Sequence, residues 1–476
     1  MGDDAKKLGL MGLMAMVVGS MIGGGIFNIS QNMAAGAALG AVIIAWSVTG
    51  FGMYFLASTF KTLSDRKPEL SSGIYAYAKE GFGQYIGFNS AWGYWISAAV
   101  GNVAFAIMVT DASSYFFPAI KAHTWGPILG GSLIIWVMNF IVLRGVKGAS
   151  FLNTISTVAK LIPLALFVII LLFAFHWDKL SFDFWGTQNP QLGGILKQVK
   201  STMLVTLWCF IGIEGAVVVS GRAKNKKDVG KATMLGFLGS LVVYAAISIF
   251  SFGIMNQQAL AGLKDPSVAY VLEQIVGQWG AAFINIGLMV SVLGAWIAWT
   301  IIVAEVPYAA AQEGVLPRIF ACENKNKAPS AALYISSMLM QTTILMVAFA
   351  ENVYLATIEI ASVMVLIPYI LSPMYLWKLS AKGETFEKNR KGKTGSLVTG
   401  IIATIYGLWL VYAAGLNYIL LSSIFYAIGI FFYWLAHKDR PKGERLFKNF
   451  EMMIAIALVI MAVVSIVLLV KGTISF

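Results

Sequence analysis

Charge is scarce in this 476-residue chain: 12 % of its residues are charged, against 58 % hydrophobic. A soluble domain carries about 25 % charged residues, so this balance excludes one. Cysteine is nearly absent. Cys209 lies in an apolar stretch and Cys322 in a charged one, which excludes a disulfide framework and a thiolate metal site. The three histidines, His123, His176 and His437, all fall at the ends of apolar stretches and form no cluster with which an enzyme could work. No metal and no cofactor is expected. Acidic residues are outnumbered 22 to 34 by basic ones, a net +12 whose meaning depends on where the basic residues lie.

Long apolar runs are what the chain has. Mean hydropathy is +0.77, and segments of about 20 apolar residues, the length that crosses hydrocarbon as a helix, recur from end to end. Thirteen spans are predicted, near 8–37, 38–60, 84–116, 125–143, 149–175, 199–221, 230–255, 279–312, 329–349, 353–377, 396–415, 417–436 and 451–470. The fold class is therefore an all-α polytopic membrane protein. The segment Met1–Leu8 is charged and short, and the apolar run after it is long enough to span, so the first span is expected to be retained rather than cleaved. With the N-terminus cytoplasmic, 27 of the 34 basic residues fall in inner loops, 6 fall outside, and Lys160 lies within a span. That is the positive-inside pattern of a multi-pass protein of the cytoplasmic membrane, surrounded by lipid. The basic loops Arg222–Lys231, Lys378–Lys393 and Lys438–Lys448 follow from it and are not nucleic-acid sites.

Two spans carry glycine where a helix should continue. In Gly19-Ser20-Met21-Ile22-Gly23-Gly24-Gly25-Ile26-Phe27 each interior glycine costs roughly 1 kcal/mol against alanine. Unwound backbone in hydrocarbon is tolerated only where protein, water or ligand pairs its N–H and C=O groups, which marks a candidate substrate site. Close helix–helix contact is the competing account of the small residues. About 190 residues later, Leu207-Trp208-Cys209-Phe210-Ile211-Gly212-Ile213-Glu214-Gly215 sets two glycines around a carboxylate. Two interrupted spans at corresponding positions of two halves point to an inverted-repeat transporter with its substrate at the midplane. Spans 1–5 and 6–10 are the repeats, giving divisions 1–175 and 176–393. The last three spans, 394–476, serve as scaffold or as contact between copies in a homo-oligomer. Half-helix N-termini would offer N–H groups to a substrate carboxylate, and Glu214 would face a cation or carry a proton.

Other polar groups at depth are few. In the third span Tyr94 and Ser97 share a face by their spacing. Asn102 reads as helix–helix glue ahead of ligand. Asp111, nine residues further and about 13 Å along the helix, reads as an entrance charge. Lys160 stands near the middle of the fifth span, where an ionisable group is functional by default. It is either a proton carrier or a fixed ammonium standing where other transporters bind a sodium ion. Glu305, six residues past Trp299 and about 9 Å nearer the cytoplasm, reads as an inner-vestibule or gating charge.

Five stretches together resemble the amino acid, polyamine and organocation transporter superfamily, and within it the arginine/ornithine antiporter type of the basic amino acid and polyamine family. They are Gly23–Phe27, Pro68–Gly73, Gly87–Trp95, Leu207–Gly215 and Ala223–Thr233. The resemblance covers nearly the whole chain. It implies a LeuT-like 5+5 inverted repeat with broken first and sixth helices, and a substrate site at Ser20, Gly23, Gly24, Gly25, Tyr94, Ser97, Trp208, Ile211, Glu214 and Trp299. In that site the three glycines bind the carboxylate, Trp208 stacks on the cation, Glu214 is the pH-responsive glutamate beside the substrate, and Trp299 packs beneath it. Three residues depart from the pattern. Gly24 replaces a serine found in several related exchangers. Lys160 is absent from the arginine/agmatine exchangers but present in proton-coupled members. Glu359 in the tenth span has no counterpart, and is open to a second contact with a dibasic substrate or to structural pairing.

The function expected is exchange of a cationic amino acid for a related cationic product, arginine for ornithine foremost. The alternatives are an amino acid and its decarboxylation amine, such as histidine and histamine, or a proton-coupled permease. A channel would want a continuous ring of like charges or carbonyls, and an enzyme would want clustered catalytic groups. Neither pattern is present. Lys160 as a fixed strut between the fifth span and the unwound first and eighth spans suits an obligate exchanger, whose driving force is the gradients of its own substrates.

Overall fold

The computed structural model describes residues 7–70, 73–121, 125–181, 183–349, 360, 363–386, 392–438 and 445–474. Among them the chain is helical, with one isolated backbone bridge between Leu8 and Ala223. Ten helices are long and apolar enough to cross a membrane, so the chain is a multi-pass membrane protein. The other three predicted spans are the sixth, cut short by its break, and the ninth and tenth, Ser330–Phe349 and Leu366–Lys382, which flank residues outside the described set. The third span is Gln84–Phe116, as predicted. The second runs to Arg66 rather than ending near residue 60: its last turns carry Lys61, Thr62, Ser64 and Asp65, a polar end that apolarity alone does not detect. The segment after it, expected to be loop, holds the helix Ile74–Phe82.

Both predicted breaks are present. The first span is helix Leu10–Met21, leaves helical geometry at Ile22, makes a short 3₁₀ turn at Gly25–Phe27 and resumes as Ile29–Gly36. The sixth is helix Ile195–Phe210, turns extended at Ile211 and resumes briefly as Gly215–Val218. Around them, the second span packs on the seventh (Lys227–Ser251), the third on the eighth (Gln278–Gln312) and the fourth (Trp125–Leu143) on the ninth. Pairing of each span with the one five later is the arrangement an inverted repeat produces. The hairpins agree with it: a short helix, a glycine of positive φ and a long helix opening on glutamine occur at Gly83-Gln84 and again at Gly277-Gln278.

Burial sorts the spans into centre and rim. In the first and eighth, 67 % and 72 % of the most apolar stretch is buried within the protein, against 33 % in the fifth (Val146–Phe173) and 17 % in the thirteenth (Asn449–Val470). The broken helix thus sits in the middle, where other helices can reach its backbone. The thirteenth span, though almost wholly peripheral, is tied in by one buried carboxylate. Glu451 accepts the Tyr85 N–H at 2.9 Å and the Lys448 N–H at 2.9 Å. Its charge therefore faces the positive end of the third helix, which has no capping side chain of its own. Glu451→Ala leaves the buried Tyr85 N–H unpaired, at about 1–3 kcal/mol. A lowered thermal midpoint of the purified protein in detergent is expected; an unchanged midpoint would mean the thirteenth span is not coupled to the bundle through this contact.

Candidate functional site

The break in the first span strands a row of carbonyls, and each finds a donor on one of three other helices. Lys160 Nζ, fully buried on the fifth span, donates to Gly19 O at 2.8 Å and Ile22 O at 2.5 Å. Trp299 Nε1 of the eighth span donates to Ser20 O at 2.9 Å, and Tyr244 Oη of the seventh to Met21 O at 2.7 Å. Ser291 Oγ donates to Gly23 O at 3.0 Å. One turn earlier, Asn153 Nδ2 donates to Ala15 O at 2.8 Å. An ammonium at the carbonyl end of a helix also opposes its dipole. The amides fare differently: among the described residues, those of Gly24 and Gly25 have no partner.

The sixth span meets the first at its own break. Ser20 Oγ donates to Gly212 O at 2.9 Å. Gly212 has φ +108°, and a Cβ there would lie 2.6 Å from Ser20 Oγ and 3.0 Å from backbone, so only glycine fits. Glu214, fully buried, accepts hydrogen bonds from the hydroxyls of Tyr94 and, at 2.5 Å, Tyr369. Tyr94 in turn stacks on Trp299, ring centroids 6.3 Å apart. One polar chain therefore runs from the first span through Trp299 and Tyr94 to Glu214 and the tenth span.

Between the breaks lies a cavity of about 460 Å³. Ser20, Gly23, Gly24, Gly25, Tyr94, Ser97, Trp208, Ile211 and Trp299 all line it. Glu214 does not: it is one layer behind, with Tyr94 between it and the cavity. Trp208 is 39 % exposed, the most accessible of the large predicted side chains. Among the described residues, no charged side chain is part of the wall. A Cβ at Gly24 would collide with Met108 Sδ, so a methionine from the third span fills the space a serine would take. The cavity extends along the first span to Asn28 and Asn32, away from the N-terminus.

The amino acid permease family model matches residues 8–462. The chain belongs to this family. It is 49 % identical to an arginine/agmatine antiporter of Chlamydia caviae over 473 residues, 98 % of this chain and 97 % of the relative. It is 46 % identical to an arginine/ornithine antiporter of Pseudomonas aeruginosa over 470 residues, 97 % of each. The superfamily resemblance carried by the glycine cluster and the Leu207–Gly215 stretch holds.

On the permease's N-terminal side the cavity is closed. Leu8 N–H donates to Arg222 O and Lys224 N–H to Leu8 O, both at 2.8 Å, which ties the start of the first span to the end of the sixth. Glu305, predicted as a gating charge, is buried and pairs with Arg222 at 2.7 Å. Asp111 is exposed near the end of the third span and off the cavity wall. Asn102 is buried beside Gly101 of the wall, and among the described residues neither of its polar side-chain atoms has a hydrogen-bond partner. Glu359 lies outside the described residues.

Tyr244, Ser291, Tyr369 and Arg222 went unnoticed in the sequence. The two tyrosines did leave a signal, a hydroxyl in mid-span that must find a partner. If Lys160 is a fixed strut, Lys160→Ala strands two buried carbonyls at about 1–3 kcal/mol each and abolishes transport. Lys160→Arg transports poorly, because a planar fork replaces a compact ammonium. Exchange by liposomes holding a pH dye then shows no stoichiometric proton movement. Substrate-coupled acidification that Lys160→Ala removes while binding survives would make Lys160 the proton carrier instead.

Proposed function

We propose that this chain is an antiporter of the cytoplasmic membrane that exchanges arginine for a related cationic product, ornithine foremost. The observation that carries the reading is the cavity itself, which among the described residues has no charged side chain on its wall, two amides without a partner at Gly24 and Gly25, and the indole of Trp208. The amides, at the start of a half-helix, take the carboxylate. The substrate's ammonium turns to the carbonyl end of Ile195–Phe210. The guanidinium lies over Trp208, an interaction of about 0.5–2 kcal/mol. Glu214 then acts on the cation through Tyr94 rather than by contact.

Both relatives are named for arginine, which supports it as the substrate on one leg, and neither name supports a histidine/histamine pair. A carboxylate cradle favours a partner that keeps its carboxylate, so ornithine is placed ahead of agmatine. On this reading the protein is a transporter and not an enzyme, and its N-terminus is cytoplasmic. Units 1–175 and 176–393 form the two repeats and 394–476 a scaffold open to contact with lipid or a second copy. Access alternates when the Leu8–Arg222 and Arg222–Glu305 contacts part and the bundle rocks. Lys160 stays fixed throughout.

Counterflow into liposomes tests this. Labelled arginine is expected to enter vesicles loaded with arginine or ornithine, and more slowly those loaded with agmatine, but not empty ones or those loaded with histidine, histamine or leucine. Uptake into empty vesicles would mean a channel or uniporter, and a preference for leucine would remove the cationic substrate.

A further inference from the structure

A second cavity, of about 710 Å³, opens far from the breaks, on the side of the basic loops. Its walls come from the second, seventh and eleventh (Lys393–Ala414) spans. The second and seventh run antiparallel and touch closely at two points. A Cβ at Gly230 would lie 3.0 Å from Lys61 Cα, and one at Gly50 3.2 Å from Leu241. These contacts are eleven residues apart along each helix, about 16 Å. Between them the facing side chains are long and the helices leave a groove.

The groove changes character along its length. At the loop end stand Lys61, Thr62, Asp65 and Arg66, with the Ser58 hydroxyl one turn deeper. About 10 Å further into the membrane, seven residues along each helix, it is walled by Tyr54 and Leu238, 46 % and 42 % exposed on candidate membrane spans. Among the described residues Asp65 is the one carboxylate on this wall, and it lies within electrostatic reach of Lys61, Arg66, Lys227 and Lys231. Four cations around one anion leave a surplus of positive charge. Arg66 is held in place by Thr385 O at 3.0 Å and by the Phe386 ring, its guanidinium 3.6 Å from the centroid. Lys61, Lys227 and Lys231 form no ion pair among the described residues.

A cationic, hydroxyl-bearing rim above an apolar floor open to hydrocarbon matches one kind of molecule. We infer that this groove binds an anionic phospholipid, its phosphate on Lys61 and the Ser58 and Thr62 hydroxyls and one acyl chain along Tyr54 and Leu238. A free anion would use the rim alone and leave the floor bare.

Native mass spectrometry of the full-length protein tests this, with phosphatidylglycerol and phosphatidylcholine of identical acyl chains as probes. Phosphatidylglycerol should be retained preferentially, and Lys61→Gln with Lys231→Gln should weaken that preference by about fivefold per lysine. Leu238→Trp, which fills the floor without altering charge, should also lower phosphatidylglycerol retention, while Lys325→Gln in another basic-side loop should not. Monodisperse elution and unchanged thermal midpoints establish that the variants are folded. Equal retention of the two lipids, or full retention by Leu238→Trp, would overturn the site. Displacement of the lipid by excess inorganic phosphate would assign the rim to a free anion and overturn it too.

Discussion

A helix broken in hydrocarbon leaves backbone groups that water cannot reach, and the rest of this structure is arranged around that fact. The first span breaks at Ile22, and carbonyls from Gly19 to Gly23 are taken up by donors on the fifth, seventh and eighth spans. Lys160 is central because an ammonium has three protons and no acceptor, so one side chain can serve two carbonyls and oppose a helix dipole together. It explains why the broken span is among the most buried in the bundle. Only there can three helices bring donors to one turn.

Satisfying the carbonyls so fully makes the break chemically one-sided. What remains open, among the described residues, is a pair of N–H groups at Gly24 and Gly25, two residues that line the cavity. The sixth span adds an aromatic side chain at the cavity and a carboxylate behind it. Among the described residues the wall is therefore neutral, and Glu214 stands one layer behind it. Tyr94 hydrogen-bonds Glu214 and stacks on Trp299, which hydrogen-bonds the first span, so a shift of any one is felt by the others.

Much of this was legible in the sequence because it is local. Consecutive glycines, a lysine deep in an apolar run and a carboxylate between glycines each violate what a membrane helix prefers, and each lies at or beside the cavity between the breaks. The parts that were not legible depend on helices meeting across long stretches of chain. Tyr369 and Tyr244 are ordinary residues of apolar spans until they are seen against Glu214 and Met21. Glu214 was expected beside the substrate, since spacing cannot show that Tyr94 stands in front of it. Asn102 was expected to bond a neighbouring helix, and helical phase alone does not say which groups face it; among the described residues it has no partner. The polar end of the second span was missed for a plainer reason: apolarity measures the hydrocarbon core and stops where lysines reach the interface.

The central claim is that substrate occupies the cavity at the first break. Gly101 lines that cavity, and a Cβ there would meet nothing within 4 Å, so Gly101→Cys places a thiol in the cavity without crowding it. In a protein also carrying Cys209→Ala and Cys322→Ser, the rate of maleimide labelling should fall as arginine is added, over the same concentration range in which arginine is transported. Labelling that is unchanged by saturating arginine, in protein that still exchanges it, would place the substrate elsewhere and contradict the account.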